Sequence, residues 1–453
     1  MIVSSGFIPH TDDEIGEMLS FMGLKSLNEL FEMVPESIRL ARDLQLDIGR
    51  GEADVLDEMG SYAANNFSTQ DLICFAGGGA YDHDIPSAVR ALAGRSEFVT
   101  AYTPYQPEVS QGVLQALFEF QTIITRLTGL PISNASLYDG ASALVEAINL
   151  SAVATKRDVI WMSQGVHPNW RQVARTFSKG TGRLIREIPL VRGATRWPGG
   201  DDHPGEPPAA IVVAYPNYLG CIEDIERASQ LAKATGALLI LAIDPVSAGV
   251  LRSAGEFGAD VAIGEGQVFG TALGFGGPYL GLFTCSMEHL RRLPGRLVGE
   301  TSDTHGRRAY VTTLRAREQD IRREKASSNV CTNQTLMAIT AAIQLAWLGT
   351  KGLRSLAVRC AQGTRYCQER LLAIDGVEPL TDLPTFREFA LRAPVPATVL
   401  IDRLSEDGFL GGIALGPELD ESGCEGGLLI SVTEKRTASQ IDGFADVFAK
   451  AIR

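Results

Sequence analysis

Apolar residues in the first part of the chain recur with the period of an α-helix. Thr11 precedes three acidic residues and is suited to cap a helix, and Gly23 is suited to end it. A second apolar stripe runs up to Pro35, and a third covers residues 55–63. The pattern predicts an N-terminal helical arm, residues 1–66, whose apolar faces pack on the rest of the chain or on a partner.

The middle of the chain has the pattern of an α/β domain. Residues 110–128 form the longest helical stripe before it, with Ser110 as the cap and Gly129 at the end. Four continuous apolar runs then alternate with helix-like segments, which is typical of strands covered on both faces. These runs cover residues 159–162, 210–215, 238–243 and 260–263. The pattern predicts a parallel or mixed sheet within a large domain, residues 67–340.

The last part of the chain has a different pattern. After Asn333 one helical segment runs to Gly349, and a second runs from Lys351 to about residue 372. The remaining residues alternate as strand, helix, strand, strand and helix. This order predicts a small C-terminal α+β domain, residues 341–453.

Composition and charge exclude several classes of function. Hydrophobic residues make up 45% of the chain and charged residues 21%, which is usual for a folded globular protein. The net charge of −13 disfavours a nucleic-acid partner, because phosphates attract clustered positive charge. It also disfavours an anionic membrane surface, and no run of eighteen apolar residues indicates a membrane span.

The cysteines and histidines indicate neither a disulfide framework nor a metal centre. The seven cysteines are odd in number and form no CxxC pair, which favours reduced thiols in a cytoplasmic protein. The six histidines do not occur at zinc-ligand spacing. A metal site is therefore not expected.

Asp244 follows a predicted strand, and ligands of open α/β sheets collect at the carboxyl ends of strands. Its carboxylate is suited to hold a protonated ring nitrogen, or simply to cap the turn before Pro245. Two glycine-rich segments, 264–270 and 274–278, allow a ligand or a partner chain to approach closely, although flexible turns also explain them. A third, residues 75–81, lacks the lysine of a phosphate loop.

Two further segments have the character of binding elements. Residues 101–108 carry two prolines and two tyrosines, which suits a rigid loop at a binding mouth or at a docking surface. Residues 138–143 bring small side chains to the start of a helix, where anions bind readily, although a plain helix start has the same pattern.

Six segments, in this order, resemble the glycine dehydrogenase (decarboxylating) P-proteins, in particular subunit 1 of the bacterial two-subunit form. The likeness runs from about residue 7 to the last predicted helix. The segments are residues 75–86 (FAGGGAYDHDIP), 95–112 (RSEFVTAYTPYQPEVSQG), 136–147 (SLYDGASALVEA), 264–281 (GEGQVFGTALGFGGPYLG), 294–300 (PGRLVGE) and 313–334 (TLRAREQDIRREKASSNVCTNQ).

The resemblance implies fold type I of the pyridoxal-phosphate enzymes, the aspartate-aminotransferase-like fold. Asp244 then matches the residue that holds the cofactor ring, and His167 matches the residue that stacks on it. Gln267 stands where catalytic relatives have the Schiff-base lysine, and glutamine has no amine to form an imine. With Ser142 these residues are expected to form a degenerate cofactor pocket. Lys325 lies far beyond it in sequence and is interpreted as structural.

One departure from the family's pattern falls inside this pocket. Residues 264–267 read Gly-Glu-Gly-Gln, where the family often has Gly-Asp-Ala-Gln. The departure alters the expected pocket and not the missing amine.

The resemblance also implies a function and its partners. The pyridoxal phosphate is expected on a lysine-bearing second subunit, with two copies of each subunit in the complex. The complex would bind glycine, release CO₂ and transfer the aminomethyl group to the lipoyl arm of the H-protein. Loops of this chain would complete the partner's active site, and Tyr102, Thr103 and Tyr105 are the first candidates.

Two alternatives stay open at this stage. In the first, the chain is a purely structural scaffold that stabilises the catalytic partner. In the second, it is a stand-alone enzyme that uses its remnant pocket for another ligand. The tyrosine loop favours a contribution to an active site, whereas Gln267 favours some loss of chemistry.

Overall fold

The computed structural model describes residues 9–40, 42, 44–99, 104–199 and 205–453. Tyr102 and Thr103, two of the predicted contributors to an active site, lie outside the described residues. The chain divides into two compact units, Met1–Asn66 and Phe67–Arg453.

The α-helices of the described residues are α1 (Asp12–Met22), α2 (Glu52–Ala63), α3 (Ser87–Ala93), α4 (Ser96–Val99), α5 (Gln111–Thr128), α6 (Gly140–Thr155), α7 (Pro168–Thr181), α8 (Ile225–Thr235), α9 (Gln319–Arg322), α10 (Thr335–Leu372), α11 (Ala397–Glu406) and α12 (Ala438–Ala451). The strands are β1 (Ile73–Cys74), β2 (Ile132–Ser133), β3 (Val159–Ser163), β4 (Leu184–Ile188), β5 (Leu190–Val191), β6 (Ala194–Thr195), β7 (Ala210–Tyr215), β8 (Leu238–Ile243), β9 (Val261–Glu265), β10 (Gly281–Cys285), β11 (Leu297–Ser302), β12 (Arg308–Thr313), β13 (Glu378–Pro379), β14 (Glu388–Arg392), β15 (Phe409–Leu410), β16 (Ile413–Ala414) and β17 (Leu428–Ser431).

The first unit contains α1 and α2. Thr11 and Glu14 form a reciprocal capping box at the start of α1, and Gly23 ends the helix in the left-handed conformation, as predicted. The second apolar stripe does not form an α-helix but a short 3-10 helix, Leu27–Phe31. The α-helix that this stripe predicts before Pro35 is therefore replaced by a five-residue 3-10 helix.

A seven-stranded sheet forms the centre of the second unit. Its strand order is β2-β10-β9-β8-β7-β3-β4, and β10 runs antiparallel to both of its neighbours. The other pairs, from β9 to β4, are parallel. The four apolar runs predicted as strands are β3, β7, β8 and β9, so the predicted mixed sheet is confirmed.

Both faces of this sheet are buried, which explains the continuous apolar runs. On β7, Val212 and Ala214 belong to one core cluster, whereas Ile211 and Val213 belong to the cluster on the opposite face. A third cluster forms around α5 and α10 and includes Leu117 of α5. The predicted bounds of α5 are confirmed, although the side chain of Ser110 makes no capping hydrogen bond.

Helix α10 consists of two helices joined at Gly349, whose φ of 59° and ψ of −177° are not helical. This matches the two helical segments that the sequence predicts. Among the described residues, α10 alone is long and apolar enough to cross a membrane by length and composition. A core helix of a globular protein meets the same criterion, and Ile339 and Leu345 of α10 lie in the core cluster around α5.

The last part of the chain forms a four-stranded antiparallel sheet, β13-β14-β17-β16, covered by α11 and α12. Strand β1 pairs with β15, although the two are more than three hundred residues apart in sequence. Phe75, just after β1, stacks on Phe444 of α12 with ring centroids 4.0 Å apart. The glycine-rich segment that follows Phe75 is therefore anchored to the C-terminal sheet.

Candidate functional site

A cavity lies at the carboxyl ends of β7, β8 and β9, the edge where ligands of this sheet type bind. Its other walls are the glycine-rich segment before Tyr81, the start of α7 and the start of β14. The polar and aromatic side chains that line it are Tyr81, His167, Trp170, Asn217, Tyr218, Asp244, Glu265, Phe386, Arg387 and Glu388.

Asp244 follows β8, as predicted, and reaches into this cavity. Its Oδ1 accepts a hydrogen bond from the backbone of Val246 at 2.9 Å, so it also caps the turn. Its Oδ2 lies 2.8 Å from Nε of Arg387, and both side chains are nearly buried. The negative charge expected to face a ring nitrogen is therefore neutralised by an arginine of the same chain.

Arg387 is held on several sides. Its guanidinium lies 3.3 Å from the centroid of the Tyr81 ring. Its Nη1 lies 2.6 Å from Nε2 of His83. Because arginine only donates, Nε2 of His83 accepts, and Nδ1 donates to Glu434 at 2.6 Å. Among the described residues, His83, Glu434 and Cys360 cluster closely enough to hold a metal ion, but Arg387 and Glu434 already engage both ring nitrogens of His83.

Gln267, at the position expected for the lysine, is buried and fully bonded. Its Nε2 donates to the backbone oxygens of Thr271 at 2.7 Å and Tyr81 at 3.2 Å. Its Oε1 accepts from the backbone N–H of Tyr81 at 3.0 Å. The amide therefore holds the glycine-rich segment against the loop that follows β9.

Tyr81 and Glu388 form a buried pair beside Gln267. The hydroxyl of Tyr81 donates to Oε2 of Glu388 at 2.7 Å, and Oε1 accepts from the backbone of Gly78 at 2.6 Å. Burial raises the pKa of the Glu388 carboxyl to about 7, although Arg387 and these hydrogen bonds lower it. Burial and the nearby Glu388 raise the pKa of Tyr81 well above its usual value, so its hydroxyl stays protonated.

His167 lies in the cavity wall, but it faces the glycine-rich segment. Its Nε2 lies 2.6 Å from the backbone oxygen of Gly78, and its Nδ1 accepts from the backbone of Asn169 at 3.1 Å, which caps α7. Burial lowers the pKa of His167. The two contacts fit the neutral ring, with Nε2 as donor and Nδ1 as acceptor.

Glu265, which also lines the cavity, contacts the start of α6. Its carboxylate accepts three backbone N–H groups, those of Gly140 at 2.9 Å, Gln267 at 3.0 Å and Leu280 at 2.8 Å. Ser142, a predicted pocket residue, lies nearby and donates its backbone N–H to the capping Asp139, but it is not among the lining residues.

Tyr105 belongs to a second group of residues, built from the segments that carry the resemblance. Its hydroxyl accepts from Nη2 of the buried Arg296 at 2.8 Å. The guanidinium groups of Arg296 and Arg315 lie 4.7 and 5.0 Å from the centroid of its ring. Arg296 also binds Asn333 and the backbone of Cys331. The exposed ring of Tyr105 is thus in contact with two cations.

The sequence predicted only part of the cavity. Asp244, His167 and Gln267 meet at or beside it, whereas Tyr81, Arg387 and Glu388 were missed. Arg387 and Glu388 begin a strand of the C-terminal sheet, where no pattern indicates which residues face a distant cavity. A buried Arg-Glu pair beside an apolar strand was the one available signal, since such charges are seldom buried without a partner.

Three comparisons bear on the family. The family model described as "Glycine cleavage system P-protein" matches residues 5–448. Proteins named "Probable glycine dehydrogenase (decarboxylating) subunit 1" are 45% identical in Desulforamulus reducens and 46% in Moorella thermoacetica, in each case over 96% of this chain and 97% of the relative.

Solved structures agree with these relatives. A crystal structure of glycine decarboxylase (P-protein) of the glycine cleavage system, in inhibitor-bound form, has a TM-score of 0.91 and 42% identity, covering 99% of this chain and 100% of that one. A cysteine desulfurase from Thermococcus onnurineus has a TM-score of 0.62 at 14% identity, covering 90% of this chain and 99% of that one. The second likeness bears on the fold alone, and together they confirm the predicted fold type and the resemblance.

Proposed function

The chain belongs to the glycine cleavage system P-protein family, and we propose that it works as subunit 1 of a two-subunit glycine dehydrogenase (decarboxylating). In this proposal the second subunit bears the lysine and the pyridoxal phosphate. This chain completes the active site of that subunit and forms no covalent bond to the cofactor itself.

This assignment of roles rests on one observation, which is that Gln267 stands at the lysine position with its amide hydrogen-bonded at both ends. A residue that bonds the cofactor covalently needs an amine, and none of the described residues that line the cavity is a lysine. The amide of Gln267 is hydrogen-bonded at both ends, and the carboxylate of Asp244 is paired with Arg387. The residues of this cavity therefore do not fit pyridoxal phosphate, and no catalytic step passes through it.

The positive contribution is assigned to the loop around Tyr105. Arg296 donates to the phenol oxygen, so the hydroxyl proton of Tyr105 is free to point away from the guanidinium. A phenol fixed in this way can donate one hydrogen bond in a defined direction. We assign it, together with Tyr102 and Thr103, to the wall of the partner's active site, where it would orient glycine or an ordered water.

We propose the overall reaction from the family to which the chain belongs. Pyridoxal phosphate on the partner would supply an electron sink for the electrons left by CO₂. The aminomethyl group would then pass to the lipoyl arm of the H-protein. We propose two copies of each subunit, since fold type I sites form between two chains of this fold.

The scaffold alternative differs from this proposal in the role of Tyr102, Thr103 and Tyr105, which would then contribute nothing to the partner's active site. The stand-alone alternative would need an open cavity with unpaired polar groups. The pairing of Asp244, Gln267 and Glu388 within the chain speaks against it.

Borohydride reduction of the co-purified two-subunit complex, followed by peptide mass spectrometry, tests the proposed division of roles. We expect a pyridoxyl-lysine adduct on the second subunit, at one equivalent per pair of subunits, and none on this chain. A stoichiometric adduct on any lysine of this chain would contradict the proposal. Exchange of the glycine carboxyl carbon with labelled CO₂ then tests the reaction itself.

A further inference from the structure

The cavity carries a second feature that the missing amine does not explain. At the start of α6, whose residues suit either an anion site or a plain helix start, a carboxylate of this chain already accepts a backbone N–H. Glu265, the last residue of β9, is only 8% exposed and lies against the first residue of α6. The start of α6 and the carboxyl group that it binds therefore both belong to this chain.

The donors around this carboxylate come from three separate segments. Gly140 begins α6, Gln267 follows β9, and Leu280 precedes β10, yet all three donate a backbone N–H to the same group. Backbone donors that converge in this way form a concave site for an oxyanion. The start of a sixteen-residue helix adds a partial positive charge on the same side.

Burial of this carboxylate has an electrostatic cost. Burial raises the pKa of Glu265 to about 7, although the three backbone N–H groups lower it. A buried acid with no cationic partner is retained only where its hydrogen bonds offset the loss of hydration. The three N–H groups would in turn be left unsatisfied if the carboxylate were absent.

Trp170 also lies at the start of α6 and lines the cavity. A Cβ at residue 140 would lie 2.0 Å from Cζ2 of Trp170, so the indole rests directly on the start of α6. His167 stacks beside it, with ring centroids 6.0 Å apart. The carboxylate and the indole therefore both lie at the first residue of α6.

We propose that the carboxyl group of Glu265 occupies the phosphate end of this cavity and closes it to phosphate-bearing ligands. Together with Arg387 at Asp244 and the amide of Gln267, it fills each of the three places at which pyridoxal phosphate would be held. The inference rests on the proposed function only in that the cavity is taken as a remnant cofactor pocket.

The test compares Glu265→Ala with Glu265→Gln in the two-subunit complex. Alanine vacates the three N–H groups, whereas glutamine keeps the space filled, removes the charge and replaces one accepting oxygen with an amide NH₂. Inorganic phosphate is the probe, titrated calorimetrically into complexes whose second subunit is loaded with its cofactor. We expect Glu265→Ala to bind one additional phosphate per copy of this chain, at least about tenfold tighter than the wild type or Glu265→Gln.

Two results would overturn the proposal. One is equal phosphate binding by the wild type and Glu265→Ala, and the other is a folded Glu265→Ala complex that gains no phosphate. If the alanine variant does not accumulate, Glu265→Ser vacates most of the same space and keeps one acceptor, and the same gain is expected. The wild-type complex's glycine exchange activity, measured in parallel, reports on the proposed function separately, so the failure of one is distinguishable from the failure of the other.

Discussion

At the scale of single residues, the cavity shows how polar side chains of the chain itself satisfy one another. Gln267 bonds the segment before it and the loop after it, and Arg387 joins Asp244, Tyr81 and His83. Each group removed alone would leave a buried partner unsatisfied, which costs more than the bond itself contributes. Such a network favours a rigid cavity wall over a binding site.

Tyr105 is the described residue whose side chain is best placed for the proposed catalytic contribution. Tyr105→Phe keeps the ring in contact with Arg296 and Arg315 but removes the hydroxyl that accepts from Arg296. If the hydroxyl serves proton transfer, turnover of the complex should fall by ~10²-fold. Glycine–CO₂ exchange gives the rate, and size-exclusion chromatography checks that the complex stays assembled.

Tyr366→Phe is the matched control for Tyr105→Phe. It removes a hydroxyl of the same kind, which donates to Asp442 at 2.6 Å on the C-terminal part of the chain. It should leave turnover unchanged. Full activity in the Tyr105 variant, with assembly intact, would instead favour the scaffold alternative.

The buried carboxyl of Glu146, inside α6, should make the stability of the chain depend on pH. Burial raises its pKa to about 7, although Ser328, Arg183 and Asn149 lower it. In the unfolded chain this carboxyl ionises near its ordinary pKa of 4.5, so the folded state binds more protons between pH 4.5 and about 7. The contribution of the protonated Glu146 carboxyl to the free energy of unfolding is fully present below pH 4.5 and is lost as the pH rises through about 7.

Glu146→Gln should therefore be more stable, relative to the wild type, at pH 8 than at pH 5. The amide stays neutral at both values and keeps a similar shape. Thermal unfolding of both complexes at the two pH values measures the difference in Tm. A difference in Tm that does not change with pH would contradict the assigned burial effect.

At the scale of elements, the kink in α10 depends on one glycine. With φ of 59° and ψ of −177°, Gly349 adopts a conformation that side chains with a Cβ rarely reach, although no atom lies within 4 Å of the Cβ position. Gly349→Ala should therefore cost about 1–3 kcal/mol of stability through backbone strain alone. The midpoint of urea unfolding measures the loss.

Gly180→Ala separates this strain from side-chain volume. Gly180 lies in α7 with a helical backbone and equally open space around its Cβ position. Alanine there should stabilise the chain by about 0.5–1 kcal/mol, because it restricts the unfolded state. Equal and small effects at both sites would show that the kink carries no strain.

The sequence predicted elements well and contacts between distant elements poorly. Strands β7 and β8 were predicted with their observed bounds, because each is a continuous apolar run between turn residues. The pairing of β1 with β15 was not predicted, since two-residue strands have no readable period. The contact between Arg387 and Asp244 was not predicted either, because it depends on how the C-terminal sheet is placed against the central sheet.

At the scale of the whole molecule, the proposed function requires a partner that fixes loops of this chain. Active-site groups act only when held within roughly 0.5 Å of their productive positions, which a transient contact does not achieve. We therefore predict an obligate interface on the order of 2,000–5,000 Å² in total. Alone, the chain should self-associate, and with the second subunit it should form one species of fixed stoichiometry.

The loop at Phe275 is the described segment that best fits this interface. Phe275 is 96% exposed and has a φ of 52°, between glycines on both sides. The exposed aromatic ring and the left-handed backbone of Phe275 each cost free energy. Burial of the ring against a partner would offset these two costs. Phe275→Ser should therefore weaken the complex, whereas Phe177→Ser, at an exposed position of α7, should not. Sedimentation velocity of each subunit, separately and mixed, measures both effects. A well-behaved monomer that ignores the second subunit at micromolar concentration would refute the interface and the shared active site.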